Sequence, residues 1–279
     1  MIPAPTDATF SITPVQAGRA TPLVFASPHS GAVYPEDMRA AEGLSEASLR
    51  SAEDSAVDRL LAASASAGAV LIAGGIGRAY VDLNRAPDEL DPALILDCPE
   101  GPPPGLKTLA GYGVIPRLAG DGTSLYDRRL TLDEARERIK WVHAPYHEAL
   151  GERMQAAWGR HGRAVLIDWH SMPSRATGPN GPDVVLGDRH GTSCKVELTR
   201  RLRALFEAMG WRVALNRPYA GGYATQVWGR PDEGFEAIQI ELNRRLYWDE
   251  TAGGASVGWG RCQSGLNRVI AALGADFTV

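Results

Sequence analysis

Short apolar runs alternate along this chain with amphipathic stretches, and that alternation restricts the fold more than any other feature of the sequence. Residues 23–26, 69–72, 165–167, 184–186, 211–215 and 237–242 read as buried strands, and 79–83 reads as a further strand after the Gly74-Gly75-Ile76-Gly77 turn. Between them lie helical patterns. Residues 55–67 place Val57, Leu60 and Leu61 on one face, with Ser55 and Asp58 spaced as a capping box. Thr131 and Glu134 form a second such pair, opening a helix that carries Ile139, Val142, Tyr146, Leu150 and Met154 and that Pro145 should kink or interrupt. Residues 195–209 form another helix with Gly210 as its stop, and the last lies near 266–273. Strands alternating with helices imply an α/β sheet covered by helices on both faces, and no repeat or linker divides the chain, so one domain over residues 1–279 is expected. Residues 86–125 break the pattern: they are rich in Pro and Gly, include Pro102-Pro103-Pro104, and are long enough that such a loop is expected to border a site.

Composition excludes several classes of function. Lys and Arg number 29 against 33 Asp and Glu, a net charge of −4, which argues against nucleic acid as a partner because phosphate neutralisation needs a basic face. No apolar run approaches the roughly 20 residues that span a bilayer, so no membrane partner is expected. The first 14 residues show no basic segment followed by an apolar one, and Cys98, Cys194 and Cys262 lack C-x-x-C spacing. A cytoplasmic location with free thiols follows as the expectation. The six histidines bound any metal or acid–base site.

In open α/β sheets, sites form beyond the carboxyl ends of the strands. Four such ends carry reactive side chains: His29; Asp82 with Asn84 and Arg85; His170; and Glu241. Each alone has an ordinary explanation. A lone His after a strand is usually a loop or cap residue, and Glu241 could pair with Arg244 or Arg245. Together they form a recognisable set. Two His and a carboxylate with an open position make a catalytic zinc arrangement, and a further Glu supplies a general base. Arg beside Asn suits a carboxylate, because the planar guanidinium donates paired hydrogen bonds.

The segments Ser-Pro-His29-Ser-Gly, Glu53-Asp54 through Val57-Asp58-Arg59-Leu60, Arg78-Ala-Tyr80-Val-Asp82-Leu-Asn84-Arg85, Pro145-Tyr146-His147, Asp168-Trp-His170-Ser171, Asn216-Arg-Pro-Tyr-Ala-Gly221-Gly222-Tyr223 and Gln239-Ile-Glu241-Leu resemble, in this order, the N-formylglutamate amidohydrolase family. The likeness runs from about residue 23 to 250. It implies a relation to the zinc carboxypeptidases and aspartoacylases. It also implies a phosphorylase/hydrolase-like, three-layer α/β/α fold with a mixed central sheet. By the same resemblance, His29 and His170 match the metal histidines. The carboxypeptidase pattern of a Glu three residues after the first His fails here, because position 32 is Ala. The family's later Asp matches Asp54, with Asp58 as competitor; Asp58 is read instead as a helix cap. Asn84 and Arg85 match the pair that holds the substrate carboxylate, Arg78 the group that stabilises the oxyanion, and Glu241 the general base. Gly222 and Tyr223 fall in the glycine-rich segment that permits close approach to a ligand.

The resemblance implies hydrolysis of an N-formyl or other N-acyl amino acid, N-formyl-L-glutamate being the family's namesake, with one zinc ion or another divalent metal as cofactor. Residues 97–126 depart from the family's histidine-pathway form, which leaves the substrate open. Two rival readings stand beside it: metallocarboxypeptidase-like cleavage of a short peptide or amide, and a catalytically silent metal- or ligand-binding module. Other signals are weaker. Residues 254–258 fit a nucleophile elbow, but no His follows His190. His143 and His147 have the i, i+4 spacing of a zinc helix without its Glu, and with Pro145 between them. They read as a coincidental pair, His143 as a bystander and His147 as either support for the site or packing. Residues 187–193 and Arg217 are possible pocket groups.

Overall fold

The computed structural model describes residues 9–16, 18–100 and 103–278. The first eight residues, on which part of the leader reading rests, and Gly101–Pro102 at the start of the triple proline lie outside them. The strands are β1 (Phe10–Thr13), β2 (Leu23–Ser27), β3 (Val70–Gly74), β4 (Ala164–Met172), β5 (Val184–Gly187), β6 (Val213–Leu215), β7 (Phe235–Asn243), β8 (Trp248–Asp249) and β9 (Gly254–Ala255). The α-helices are α1 (Glu46–Arg50), α2 (Val57–Leu60), α3 (Leu106–Leu109), α4 (Leu132–Arg138), α5 (Ala144–His161), α6 (Val196–Glu207), α7 (Tyr223–Trp228) and α8 (Trp259–Ala275). The first seven strands form one sheet in the order β1-β3-β2-β4-β7-β5-β6, and β8 pairs with β9. β2, β4 and β7 run parallel, while β5 is antiparallel to β7 and parallel to β6, so the sheet is mixed as expected.

The chain divides into two compact units. One comprises Met1–Ser11, His29–Glu53 and Ala73–Ala149, and the other Ile12–Pro28, Asp54–Ile72 and Leu150–Val279. In the second unit β4 and β7 are buried along their whole length, as strands must be when both faces are covered. One face packs Phe25, Val165, Ile167, Trp169, Ile238, Ile240 and Leu242 against apolar residues of α2, α6 and α8. On the other face α7 lies over β4 and β7, and Trp158 of α5 stacks on Phe235. That second face carries Asp168, His170, Gln239 and Glu241, because alternate strand residues point to opposite sides.

The segment expected to be a loop supplies part of the first unit's core. Leu94, Ile95, Val114, Ile115 and Leu125 are fully or almost fully buried there, so residues 86–125 form a core with little regular structure. Arg138, at the end of α4, is buried too. It donates to the Tyr80 and Met38 carbonyls and to the Tyr126 hydroxyl, and its guanidinium lies 4.3 Å from the Tyr80 ring. The Thr131–Glu134 capping box is present. The Arg128 hydrogen bond, the largest influence on Glu134, holds that carboxyl down to about 2.

Three local expectations fail. Residues 79–83 form a turn rather than a strand: the amide of Tyr80 donates to Gly77 and that of Asp82 to Val114, outside any ladder. Complete burial gave this stretch its strand-like apolar character. The helix expected over 55–67 shrinks to α2 and one 3₁₀ turn, Ala65–Ala67. Its N-cap is Ala56 in the left-handed region at φ 58°, with no side-chain cap, and Asp58 sits inside the first turn rather than at the capping-box position. Pro145 leaves the helix unbroken, because a π-turn over Ile139–His143 widens the backbone ahead of it and Ala144 donates five residues back to Ile139.

Candidate metal and active site

His29 follows β2 by two residues, and its Nε2 lies 2.7 Å from Asp82 Oδ1, both side chains buried. The same carboxylate gathers further donors. Oδ1 accepts the Asn84 amide at 2.9 Å, and Oδ2 accepts Arg78 Nε at 2.9 Å. Arg85 Nε stands 3.8 Å from Oδ2. Burial alone would raise the Asp82 carboxyl, but Arg78, His29 and Arg85 together hold it well below the usual carboxylate range. Arg85 keeps cationic capacity in reserve. Its Nε makes no hydrogen bond, and its other carboxylate neighbour, Glu89, is 3.7 Å away.

His170 lies inside β4, two residues before the strand ends, on the same face as Asp168. Its Nε2 is 3.0 Å from Asp168 Oδ2, and its Nδ1 is 2.9 Å from Asp54 Oδ2. Burial opposes a charge on this ring, but the two carboxylates outweigh it and raise the imidazole well above its ordinary value. The other oxygen of Asp54 is anchored: Oδ1 accepts from Ser171 Oγ at 3.2 Å and from Arg244 at 3.3 Å. Asp54 therefore turns one oxygen toward His170 while the other is held in place.

Asp82 thus backs His29, and Asp168 backs His170, whose other nitrogen faces Asp54, the carboxylate with which it would share a metal. His29, Asp54 and His170, all buried, each offer one ligand atom, and these atoms lie within 4.8 Å of one another. Asp58 is not part of this group. Its carboxyl is raised, chiefly by burial.

Glu241 is the parallel register partner of His170 on β7, so the two side chains rise from neighbouring strands on one face. Gln239, two residues earlier, donates to Glu241 Oε1 at 2.7 Å. Of the partners foreseen for Glu241, Arg244 meets Asp54 at 3.3 Å and Arg245 meets Asp183 at 2.7 Å.

Gly222 caps α7 and Tyr223 is its first residue. The preceding Gly221 has φ 123°, and a Cβ there would come within 2.5 Å of Thr225 Oγ1, so only glycine fits. The loop after β5 is clasped to this turn. Asn216 donates to Asp188 Oδ1 at 2.8 Å and accepts the amides of Asp188 and His190, while Arg189 N donates to the Ala220 carbonyl.

Asp82 and Asp168, the carboxylates against His29 and His170, are residues that sequence reasoning named without giving a role. Their signal was present, because each lies near an assigned histidine or arginine in a quoted motif. Ser171 and Gln239 stand in the same quoted motifs, but the contacts of Ser171 and Arg244 with Asp54 gave no signal, since they join segments more than 100 residues apart.

A mixed α/β sheet and, beside its central strands, a buried His-Asp-His group that could hold a metal ion point to a hydrolase. Sequence comparison makes the class particular. Residues 21–248 match the family model of N-formylglutamate amidohydrolase, and the chain belongs to that family of enzymes that hydrolyse an amide. It is 32% identical over 239 residues to an N-formylglutamate deformylase of Pseudomonas aeruginosa, covering 83% of this chain and 84% of the relative. An N-formylglutamate deformylase of Pseudomonas putida is 29% identical over 238 residues, 82% of this chain and 83% of that one. The crystal structure of N-formylglutamate amidohydrolase from Ralstonia eutropha JMP134 superposes with a TM-score of 0.89 at 36% identity, covering 97% of this chain and 98% of the other.

Proposed function

We propose that this chain is a zinc-dependent deformylase that hydrolyses the amide of an N-formyl amino acid, N-formyl-L-glutamate first, to formate and the free amino acid. Zinc is assigned to His29, Asp54 and His170. The observation that carries this reading is the pair of carboxylate-backed histidines grouped with an anchored aspartate, each of the three offering a ligand atom. The donor set fits a divalent ion, two nitrogens and one carboxylate oxygen with a position left for substrate or water. Such an ion would supply Lewis acidity and lower the pKa of a water molecule.

The chain's own groups perform the rest. Glu241 takes the proton of the attacking water as its oxygen adds to the formyl carbon. It returns that proton to the leaving nitrogen as the C–N bond breaks. Arg78, its Nε held by Asp82, donates toward the oxyanion that forms at the tetrahedral carbon. Asn84 and Arg85 hold the substrate carboxylate, with Gly222 and Tyr223 as further substrate contacts, so that the amide is oriented for attack. The chain is read as one catalytic domain. A cytoplasmic location agrees with its three free thiols.

The test combines metal content with a substrate panel. Purified protein should carry about one zinc per chain, as two His and one carboxylate supply a three-ligand catalytic site. It should release formate from N-formyl-L-glutamate faster than it cleaves N-acetyl-L-glutamate or dipeptides. Glu241→Gln should keep the metal and lose about 10³-fold in kcat, within the usual range for a general base. Dipeptides as the best substrates would favour the carboxypeptidase-like reading, and zinc binding with no turnover on any substrate would favour a silent module.

A further inference from the structure

We infer that His143 and His147 are positioning residues for the Asn84–Arg85 clamp, a role that rests on the reading of that pair as the substrate-carboxylate binder. The segment from Gly77 to Arg85 has no sheet or helix ladder to fix its peptide groups, yet a carboxylate clamp needs its side chains aimed closely. The helix supplies what the ladder does not. His147 Nε2 lies 2.7 Å from the Leu83 carbonyl oxygen, and His143 Nε2 lies 2.8 Å from that of Arg85. A carbonyl only accepts, so both rings carry their proton on Nε2.

The two bonds bracket Asn84. The amide of Asn84 in turn donates to Asp82 Oδ1 at 2.9 Å, and that of Arg85 to the Asp82 carbonyl at 3.3 Å. The backbone around the clamp is therefore held at four points, two by imidazoles and two by Asp82. The histidines are one helical turn apart and their rings lie 4.4 Å from each other. Directly ahead of them, the π-turn over Ile139–His143 ends on His143 itself, a feature often found at functional sites.

Burial keeps both rings in the neutral form a carbonyl requires. It lowers His143, and together with the neighbouring His143 it brings His147 down to about 3. An apolar pair would fill the same space. A buried and a half-buried donor directed at two carbonyls on either side of one residue do more, because they fix the peptide orientations that aim Asn84 and Arg85.

The experiment measures N-formyl-L-glutamate kinetics and zinc content for His147→Leu, His147→Gln, His147→Asn, Arg85→Leu and the Arg85→Leu/His147→Leu pair. His147→Leu should raise KM about 30-fold by leaving a buried carbonyl unpaired and the clamp misaimed, with kcat within about threefold and zinc unchanged. His147→Gln, whose Nε2 reaches as far as the ring nitrogen, should return KM to within about threefold of the parent, and the shorter His147→Asn should not. In the Arg85→Leu background, His147→Leu should add less than about threefold, since the two act through one clamp.

A His147→Leu variant with parental KM, or with loss of zinc and kcat instead, overturns the inference. If the leucine variant does not fold, the Gln and Asn variants decide, and equal KM values for the two overturn it. An Arg85→Leu variant with unchanged KM overturns the clamp itself and the positioning role with it. A KM that rises for Arg85→Leu but not for His147→Leu overturns the positioning role alone.

Discussion

Asp82 and Asp168 both back a histidine, but they do so in different ways. Asp168 lies in the middle of β4 and meets only His170 Nε2, with no hydrogen bond to its carboxylate among the described residues. The strand does the positioning: the i, i+2 spacing brings ligand and backing carboxylate to one face, and the parallel register with β7 fixes both. Asp82 lies in a turn segment and serves four groups at once, His29, the Asn84 amide, Arg78 and Arg85. Regular structure can therefore give one residue one task, whereas an irregular segment draws several tasks onto one carboxylate. In the proposed reading, Asp82 links the metal ligand to both the oxyanion group and the substrate clamp. Asp168 links to the metal ligand alone.

That difference yields the largest expected effect. Asp82→Asn should weaken metal binding 10- to 100-fold, as loss of a carboxylate behind a metal histidine does. It should also raise KM for N-formyl-L-glutamate at saturating zinc, because an amide cannot accept from His29, Asn84, Arg78 and Arg85 together. Asp168→Asn should weaken metal binding over the same range and leave KM unchanged at saturating zinc. Metal affinity by chelator competition and KM by formate release separate the two. Equal KM values for both variants would break the comparison.

The same contrast explains what the sequence disclosed. β2, β4, β5 and β7 were legible because buried strands carry short apolar runs, and His29, His170 and Glu241 were legible because they interrupt or follow those runs. Asp54, not Asp58, falls in the group with His29 and His170, although the capping argument used for it does not match the backbone: Ala56 is the N-cap and Asp58 lies inside the first turn. The segment around Asp82 was misread as a strand, because burial gives apolar character whatever the backbone does. The bonds of His143 and His147 span about 60 residues of chain and end on backbone carbonyls, which carry no side-chain identity for a sequence to reveal.

Next in size is the effect of removing the cation behind Asp54. Arg244 is buried and meets Asp54 Oδ1 at 3.3 Å. Arg244→Met leaves a buried carboxylate without its counter-charge, a loss of about 3 kcal/mol in the metal-free protein. In thermal denaturation that is a fall of about 8 °C for a chain of this size. Added zinc should restore much of it, because a divalent ion compensates the same carboxylate. Neither change should reach the Asp82 cluster, so the KM of zinc-loaded Arg244→Met should match the parent. A raised KM at saturating zinc would show that the second cluster is not confined to the metal.

The smallest effect separates charge from geometry within that second cluster. Ser171 Oγ donates to Asp54 Oδ1 at 3.2 Å and accepts Arg244 Nε at 3.1 Å, so it is a neutral link between the carboxylate and its cation. Ser171→Ala removes both bonds but leaves the direct contact between Arg244 and Asp54. The cost should be that of a neutral hydrogen-bond link, about 1 kcal/mol, against about 3 kcal/mol for the arginine. Thermal denaturation should shift by about 3 °C, and zinc affinity by a few-fold. If the charge is what stabilises Asp54, the serine and arginine variants will differ by this ratio. If they lose the same stability, the hydroxyl that orients the carboxylate matters as much as the cation. The second cluster would then resemble Asp82, where direction and charge come from one set of hydrogen bonds.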